Sequence, residues 1–211
     1  MMEGSGQPAA QAGQEAFATF ASALEDDEDA LKAVADLESR RGCNSDLLIL
    51  LCWLAASGRG GVDHDEISTL LDTADHWRRN VSRRFPEMVS QAQDLSLLLP
   101  PAVLASFLHD TTALEQSARR IERSLLLDAV AERRPKDGDL AQRAVALAAS
   151  LTAYFGALEI SAVPRDRIMA ASLIRFVVPD LAADKLAALA QLKSLAGDGR
   201  SIFQHEVNWI R

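Results

Sequence analysis

The chain reads as an all-α, multi-helix bundle of about seven to nine helices, and three observations lead to that fold class. Ala and Leu are abundant while β-branched residues are few, which favours helices over strands. No period-2 segment runs beyond about six residues and strands never alternate with helices, so neither a sheet nor a βαβ unit is expected. The segment Leu47–Ala56 is apolar on every side of a helical wheel. Such a helix must be surrounded by other helices.

Residues 1–12 (MMEGSGQPAAQA) offer little to bury and read as a disordered tail. A first helix is expected over about 13–24, with Phe17, Phe20 and Leu24 at 3–4 spacing. The acidic run Glu25–Asp29 marks a helix start, because carboxylates favour the positive end of the macrodipole. The second helix, about 28–40, carries Leu31, Val34 and Leu37. Arg40 and Arg41 before Gly42 supply its stop signal. Asn44 or Ser45 can cap the apolar helix built around Trp53, and Gly58, Gly60 and Gly61 break it.

Asp63-His-Asp-Glu66 has capping-box spacing. The helix that follows places Ile67, Leu70, Leu71, Ala74, Trp77, Val81 and Phe85 on one face, with Arg79 and Arg83 pointing away and Arg78 and Arg84 on its flanks. Pro86 ends it or opens the next helix, about 87–98. Between Ala102 and Arg133 a seam runs through Leu104, Phe107, Thr111, Leu114, Ala118, Ile121 and Leu125, with a break expected near His109–Thr112. A second seam, Leu140, Ala144, Leu147, Leu151, Tyr154 and Leu158, follows the turn PKDGD; both fit bundle or coiled-coil packing. Pro164 precedes an apolar helix at Ile168–Val178, and Asp180 caps a last regular helix over Leu181–Ala196. The tail SIFQHEVNWIR is expected to dock through Ile202, Phe203, Val207, Trp209 and Ile210. The expected organisation is a helical core over 13–134 with a helical segment, 135–211, packed on it as one structural unit.

The net charge of −8 argues against nucleic acid as a partner, since phosphate binding needs a basic surface. The charge is uneven. Residues 1–42 carry nine acids against three bases, whereas residues 77–136 carry ten bases against seven acids. A basic face is therefore possible in an acidic protein. Cys43 and Cys52 are too far apart along the chain to pair if Cys52 is helical, so both read as small buried hydrophobes in a reducing compartment. The N-terminus has neither a basic nor an apolar signal region, and the longest apolar run is about half a membrane span. The reading is cytoplasmic, with no transmembrane segment.

The order AFATFASAL, LES-RRG, DLLILLCWLAASGRG and HWRRNVSRR resembles the DUF2390 family of uncharacterised bacterial proteins over residues about 15–85, with LEQSARRIERSLLL at 114–127 as a weaker continuation. The matching positions are Leu47, Leu48, Trp53, Leu54, Trp77, Arg78, Arg83 and Arg84, and Asp46 stands where the family's Asn is expected. The resemblance implies a helical fold and carries no activity.

Trp77, Arg78, Arg79, Arg83 and Arg84 form the leading candidate docking surface, because guanidinium groups bind carboxylates and a neighbouring Trp can anchor them. The alternative is that Trp77 is core, Arg78 and Arg84 cover the apolar rim, and the other two are solvated. A further variant pairs the basic helix internally with Glu25–Asp29. Arg119, Arg120 and Arg123 form a second group that is either a solvated face or, if the helices adjoin, part of one patch.

Asp72, Asp75 and His76 lie close enough for a metal site, but no second cluster completes one. No G-x-S-x-G appears to mark a nucleophile, and the glycines at 58, 60 and 61 lack the Walker lysine and a preceding strand of a phosphate loop; no cofactor is expected. The expected function is a non-enzymatic, cytosolic protein-interaction or adaptor role, with a protein partner or self-association. The alternatives are a small apolar-ligand binder, with a pocket lined by the helices at 168–196, or an all-α enzyme whose site assembles from scattered helices.

Overall fold

The computed structural model describes residues 7–192, and among them the fold is all-α, with nine helices, one π-helical turn and no strand. Helix α1 spans Gln7–Asp26. It begins earlier than the aromatic spacing predicts, so residues 7–12 are helical rather than tail. The run QPAAQAGQ consists largely of strong helix formers, and a proline in the first turn costs no hydrogen bond. Helix α2, Glu28–Arg41, is capped by the Asp27 carboxylate on the Ala30 N–H at 2.8 Å. Gly42, at φ +70°, closes it by donating to Glu38 O while Cys43 donates to Leu37 O. Its buried face is Ala30, Ala33, Val34 and Leu37, whereas the expected Leu31 is exposed.

Helix α3, Ser45–Ala56, is capped by Asn44, whose Oδ1 accepts from the Leu47 N–H at 2.9 Å. Every residue from Asp46 to Ala55 is buried. Each fully buried Leu here contributes about 1.5–3 kcal/mol relative to exposure. This is the centre of the molecule, with α1, α2, α6, α7 and α8 packed around it. Trp53 meets Phe17 of α1 edge-on at 5.4 Å, and the Arg59 guanidinium lies 4.3 Å from its ring centroid. Gly58 (φ +72°) then turns the chain where the Lys136 carbonyl would stand 2.8 Å from any Cβ. That close approach is fastened by the Lys136 N–H donating to Gly58 O.

Helix α4, His64–Trp77, opens with the capping box of Asp63 and Glu66, and buries Ile67, Leu70 and Ala74. It does not continue unbroken to Phe85. Arg78–Ser82 forms a π-helical turn in which the Arg83 N–H reaches the Arg78 carbonyl. The extra residue resets the wheel, so positions beyond Trp77 no longer follow the 100° rule. Helix α5 is Arg84–Asp94 rather than 87–98, and it packs against the π turn and α6.

Helix α6, Pro101–Ala129, is one continuous helix of 29 residues with no break at His109–Thr112. It is about 43 Å long. Its buried positions are Thr111, Ala118, Glu122, Leu126 and Leu127, while the expected seam residues Leu114, Ile121 and Leu125 are exposed. Small side chains at 111 and 118 let the neighbouring helices approach, and the buried Glu122 is satisfied by Asn44. An apolar-only pattern cannot anticipate that register.

Helix α7, Leu140–Ala157, starts with a second capping box, Asp139 with Gln142, and buries Ala144, Leu147, Leu151 and Tyr154 as expected. Leu140 is exposed. Helix α8 starts at Pro164 and ends at Val177, and lies along α2. Helix α9 is short, Ala183–Leu189, with no side-chain cap, so Asp180 does not open it. The expected docking of Ile202, Phe203, Val207, Trp209 and Ile210 lies outside the described residues. Among the described residues no helix is long and apolar enough to cross a membrane. Both cysteines are buried and unpaired, and burial pushes each thiol up to about 12.

Candidate functional site

Helix α6 crosses both α4 and the π turn, so the two arginine groups lie on adjoining elements. They do not all do the same thing. Arg123 points inward. Its Nε donates to Asp46 Oδ1 at 2.6 Å and its Nη2 to Glu25, fastening α6 to α3 and to the end of α1. Burial pulls the guanidinium pKa down, but Asp46 and Glu25 outweigh this and raise it. Arg123 is therefore a clasp and not a docking residue. Among the described residues, Glu25 is the member of the acidic run that pairs with this basic group.

Arg78 is half-buried, and together with Arg119 it pulls electrostatically on Glu122. Arg79, Arg83, Arg84, Arg119 and Arg120 are exposed. Arg84 sits 3.5 Å from Glu87, a loose surface pair. Arg79 donates to the Asp75 carbonyl, and Arg120 to the Gln116 carbonyl and the Ser117 hydroxyl. Among the described residues no carboxylate lies within ion-pair distance of Arg79, Arg83, Arg119 or Arg120. Trp77, the last residue of α4 before the π turn, is half-buried, and its indole N–H is enclosed without a hydrogen-bond partner.

Under the face lies a polar cluster that the sequence pattern did not single out. Glu122, only 4% exposed, accepts from Asn44 Nδ2 at 2.7 Å. Burial raises its pKa against the pull of the Asn44 amide. The Asn44 backbone N–H in turn donates to the Tyr154 hydroxyl at 2.6 Å, and burial raises that phenol's pKa as well. Asn44 thus uses its cap oxygen for α3, its amide for α6 and its backbone for α7. Its recognition as a helix cap was legible; its role as a three-way junction needed the tertiary fold.

A second ionic cluster joins α2 to α8. Asp166 has no exposed surface; it accepts from Arg40 at 2.6 Å, from Arg41, and from the Val163 N–H at 2.9 Å. Burial drives the carboxyl upward, but Arg41, the Val163 amide and Arg40 outweigh it and hold it at about 2. Asp36 bridges Arg40 and Arg165, and both lower its pKa. Arg40 and Arg41 looked like a helix stop signal and are also the pins of this junction.

Asp72, Asp75 and His76 gain no further ligand from the fold: among the described residues, no group of three or more His, Cys, Asp or Glu side chains could hold an ion. His64, His76 and His109 are exposed. An open groove of about 450 Å³ lies between the end of α7 and Gln191–Leu192, lined by Phe155, Ile160, Arg167 and Leu192 among others. The Arg167 Nε is buried there without a partner.

Searches against protein-family models, curated proteins and solved structures each return no match for this chain.

Proposed function

We propose that the chain is a non-enzymatic protein-interaction module that presents the exposed guanidinium groups of Arg79, Arg83, Arg84, Arg119 and Arg120 to an acidic protein surface. The observation that carries this reading is the division of labour among the arginines. Arg40, Arg41, Arg123, Arg133 and Arg165 are engaged with carboxylates that tie one part of the chain to another. Those on the π turn and the outer surface of α6 are not, apart from the loose pair at Arg84. Exposed arginines on adjoining elements, with their guanidinium groups free of close carboxylates, have the chemistry of a carboxylate-binding face. The resemblance of residues 15–85 to the DUF2390 family adds the same Trp-Arg motif and no activity.

Poly-L-glutamate is a suitable probe, because it presents carboxylates alone, and its binding is read by sedimentation of the complex. Wild-type protein is expected to bind at low salt and release as salt rises. The Arg79→Glu, Arg83→Glu, Arg119→Glu variant, with unchanged helicity, is expected to lose binding. Binding that persists in this variant sinks the proposal.

A second reading, a small-ligand binder, is favoured by the groove at Phe155 and Leu192 with its unpartnered Arg167 Nε. Native mass spectrometry of protein isolated from its source tests it. A stoichiometric small mass removed by Arg167→Ala supports the reading, and its absence argues against it.

A further inference from the structure

We infer that the groove between the end of α7 and Leu192 binds a free α-amino acid with an apolar side chain. The inference rests on the small-ligand reading of that groove and names the ligand class.

The groove carries one unpaired charge of each sign. Arg167, the fourth residue of α8, is half-buried there, and Glu159, just beyond the end of α7, is exposed along it. Among the described residues neither is ion-paired, with the other or with any further group. The Arg167 Nε is moreover enclosed without a hydrogen-bond partner, which leaves a buried donor unsatisfied. Arg165, two residues earlier on the same helix, is by contrast paired with Asp36.

Both charges also stand where the fold disfavours them. Glu159 occupies the position after a helix end that glycine usually fills. Its φ is +54°, its N–H donates to the Gly156 carbonyl at 3.0 Å, and the Ile160 N–H donates to the Phe155 carbonyl at 2.8 Å. A residue with a Cβ is strained in that conformation, and a carboxylate is repelled by the negative end of α7. Arg167 is the mirror case, a cation close to the positive end of α8. Among the described residues one other non-glycine has a positive φ, Leu192, and it lines the same groove. Backbone strain and misplaced charge gathered at one groove mark a place where local stability yields to ligand contacts.

The two charges define the ligand. A simple carboxylate would pair with Arg167 but face Glu159, and a simple amine would meet the reverse. A zwitterion turns both into partners, its carboxylate toward the Arg167 guanidinium and its ammonium toward Glu159 at the negative end of α7. The rest of the wall is largely apolar, with Phe155 and Leu192 buried and Ile160 half-buried. Such a wall suits an apolar side chain, and the volume of about 450 Å³ lies within the ordinary range of small-ligand sites. The wall is also fixed before any ligand arrives. The Arg41 Nη2 donates to the Ser161 carbonyl at 3.3 Å and the Val163 N–H to Asp166 at 2.9 Å, pinning the segment that follows Glu159. Preorganisation of this kind lowers the entropic cost of binding.

Isothermal titration calorimetry on the full chain tests this with L-leucine and three analogues that each lack one feature. 4-Methylpentanoate lacks the ammonium, 3-methylbutylamine the carboxylate, and glycine the apolar side chain. L-Leucine is expected to bind at one site, and each analogue at least about tenfold more weakly. Arg167→Gln and Glu159→Gly should each weaken leucine by a similar factor. Glu159→Gly should at the same time melt higher than wild type, because glycine relieves the strain, so its lost binding cannot be ascribed to unfolding. Leucine binding that survives both substitutions, or a glycine variant that melts no higher than wild type, overturns the inference. 4-Methylpentanoate binding as tightly as leucine overturns the zwitterion and leaves the groove a ligand site. So does a failure of leucine to bind beside a co-purified small mass that Arg167→Ala removes. No leucine binding and no co-purified small mass overturns both the amino acid and the small-ligand reading.

Discussion

Replacing Asp166 by Asn removes one negative charge from the junction of α2 and α8 while keeping the side chain's shape. The wild-type carboxyl accepts from Arg40, Arg41 and the Val163 N–H, and is held at about 2 against an ordinary value of 3.8. A depression of that size corresponds to about 2.4 kcal/mol of folding stability. The two guanidinium groups remain 29% and 23% exposed, and solvent screening there reduces the expected effect to about 1–2 kcal/mol. The Asn amide must also turn its NH2 toward either a guanidinium or the Val163 N–H, setting donor against donor. For a chain of this size the variant should melt about 2–8 °C lower at neutral pH.

The pH dependence is the sharper assay. A carboxyl whose pKa is depressed on folding stabilises fully above its unfolded value, and that contribution fades as pH falls from about 4 toward 2. Urea unfolding across this range should show the gap between wild type and Asp166→Asn closing on acidification. An Asn variant as stable as wild type at pH 7 refutes the reasoning. So does a deficit that stays constant down to the acid limit.

Tyr154→Phe leaves the buried Asn44 N–H without its acceptor, which should cost about 1–3 kcal/mol by urea unfolding. Gly58→Ala places a Cβ against the Lys136 carbonyl at positive φ, and should destabilise by a similar about 1–3 kcal/mol; an unchanged midpoint would mean that the 58–136 approach is not fixed in solution. Glu122 behaves in the opposite sense to Asp166. Its pKa is raised on folding, so it weakens the fold as pH rises through and above its ordinary 4.5. Glu122→Gln should match wild type in acid and exceed its stability at neutral pH, and a variant no more stable than wild type at pH 7 contradicts this.

Caps and the central helix were legible from residue order, because their causes are local. Asp63 with Glu66, Gly42 after two arginines, and a segment apolar on every side each specify their own geometry within a few residues. The register of α6 was not. Leu114, Ile121 and Leu125 obey the 3–4 rule, yet the helix buries Thr111, Ala118 and Glu122 beside them. Tertiary partners make a carboxylate acceptable inside, and spacing alone carries no information about them. The π turn was hidden for a related reason, since one inserted residue changes the face of everything after Trp77 without changing composition. Arg123 shows the limit for the candidate site. It belongs to the same basic run as Arg119 and Arg120, but Asp46 and Glu25, distant in sequence, claim it for the interior.

Hydrogen exchange across the full chain, compared with and without poly-L-glutamate, tests most directly whether the arginine face is the interaction surface. In the free protein α5 should exchange far faster than α3 and α7, because it buries little. On addition of the polymer, protection should rise around residues 78–84 and 119–120 and leave α2 and α8 unchanged. Protection that appears elsewhere, or no change on addition of the polymer, would contradict the account.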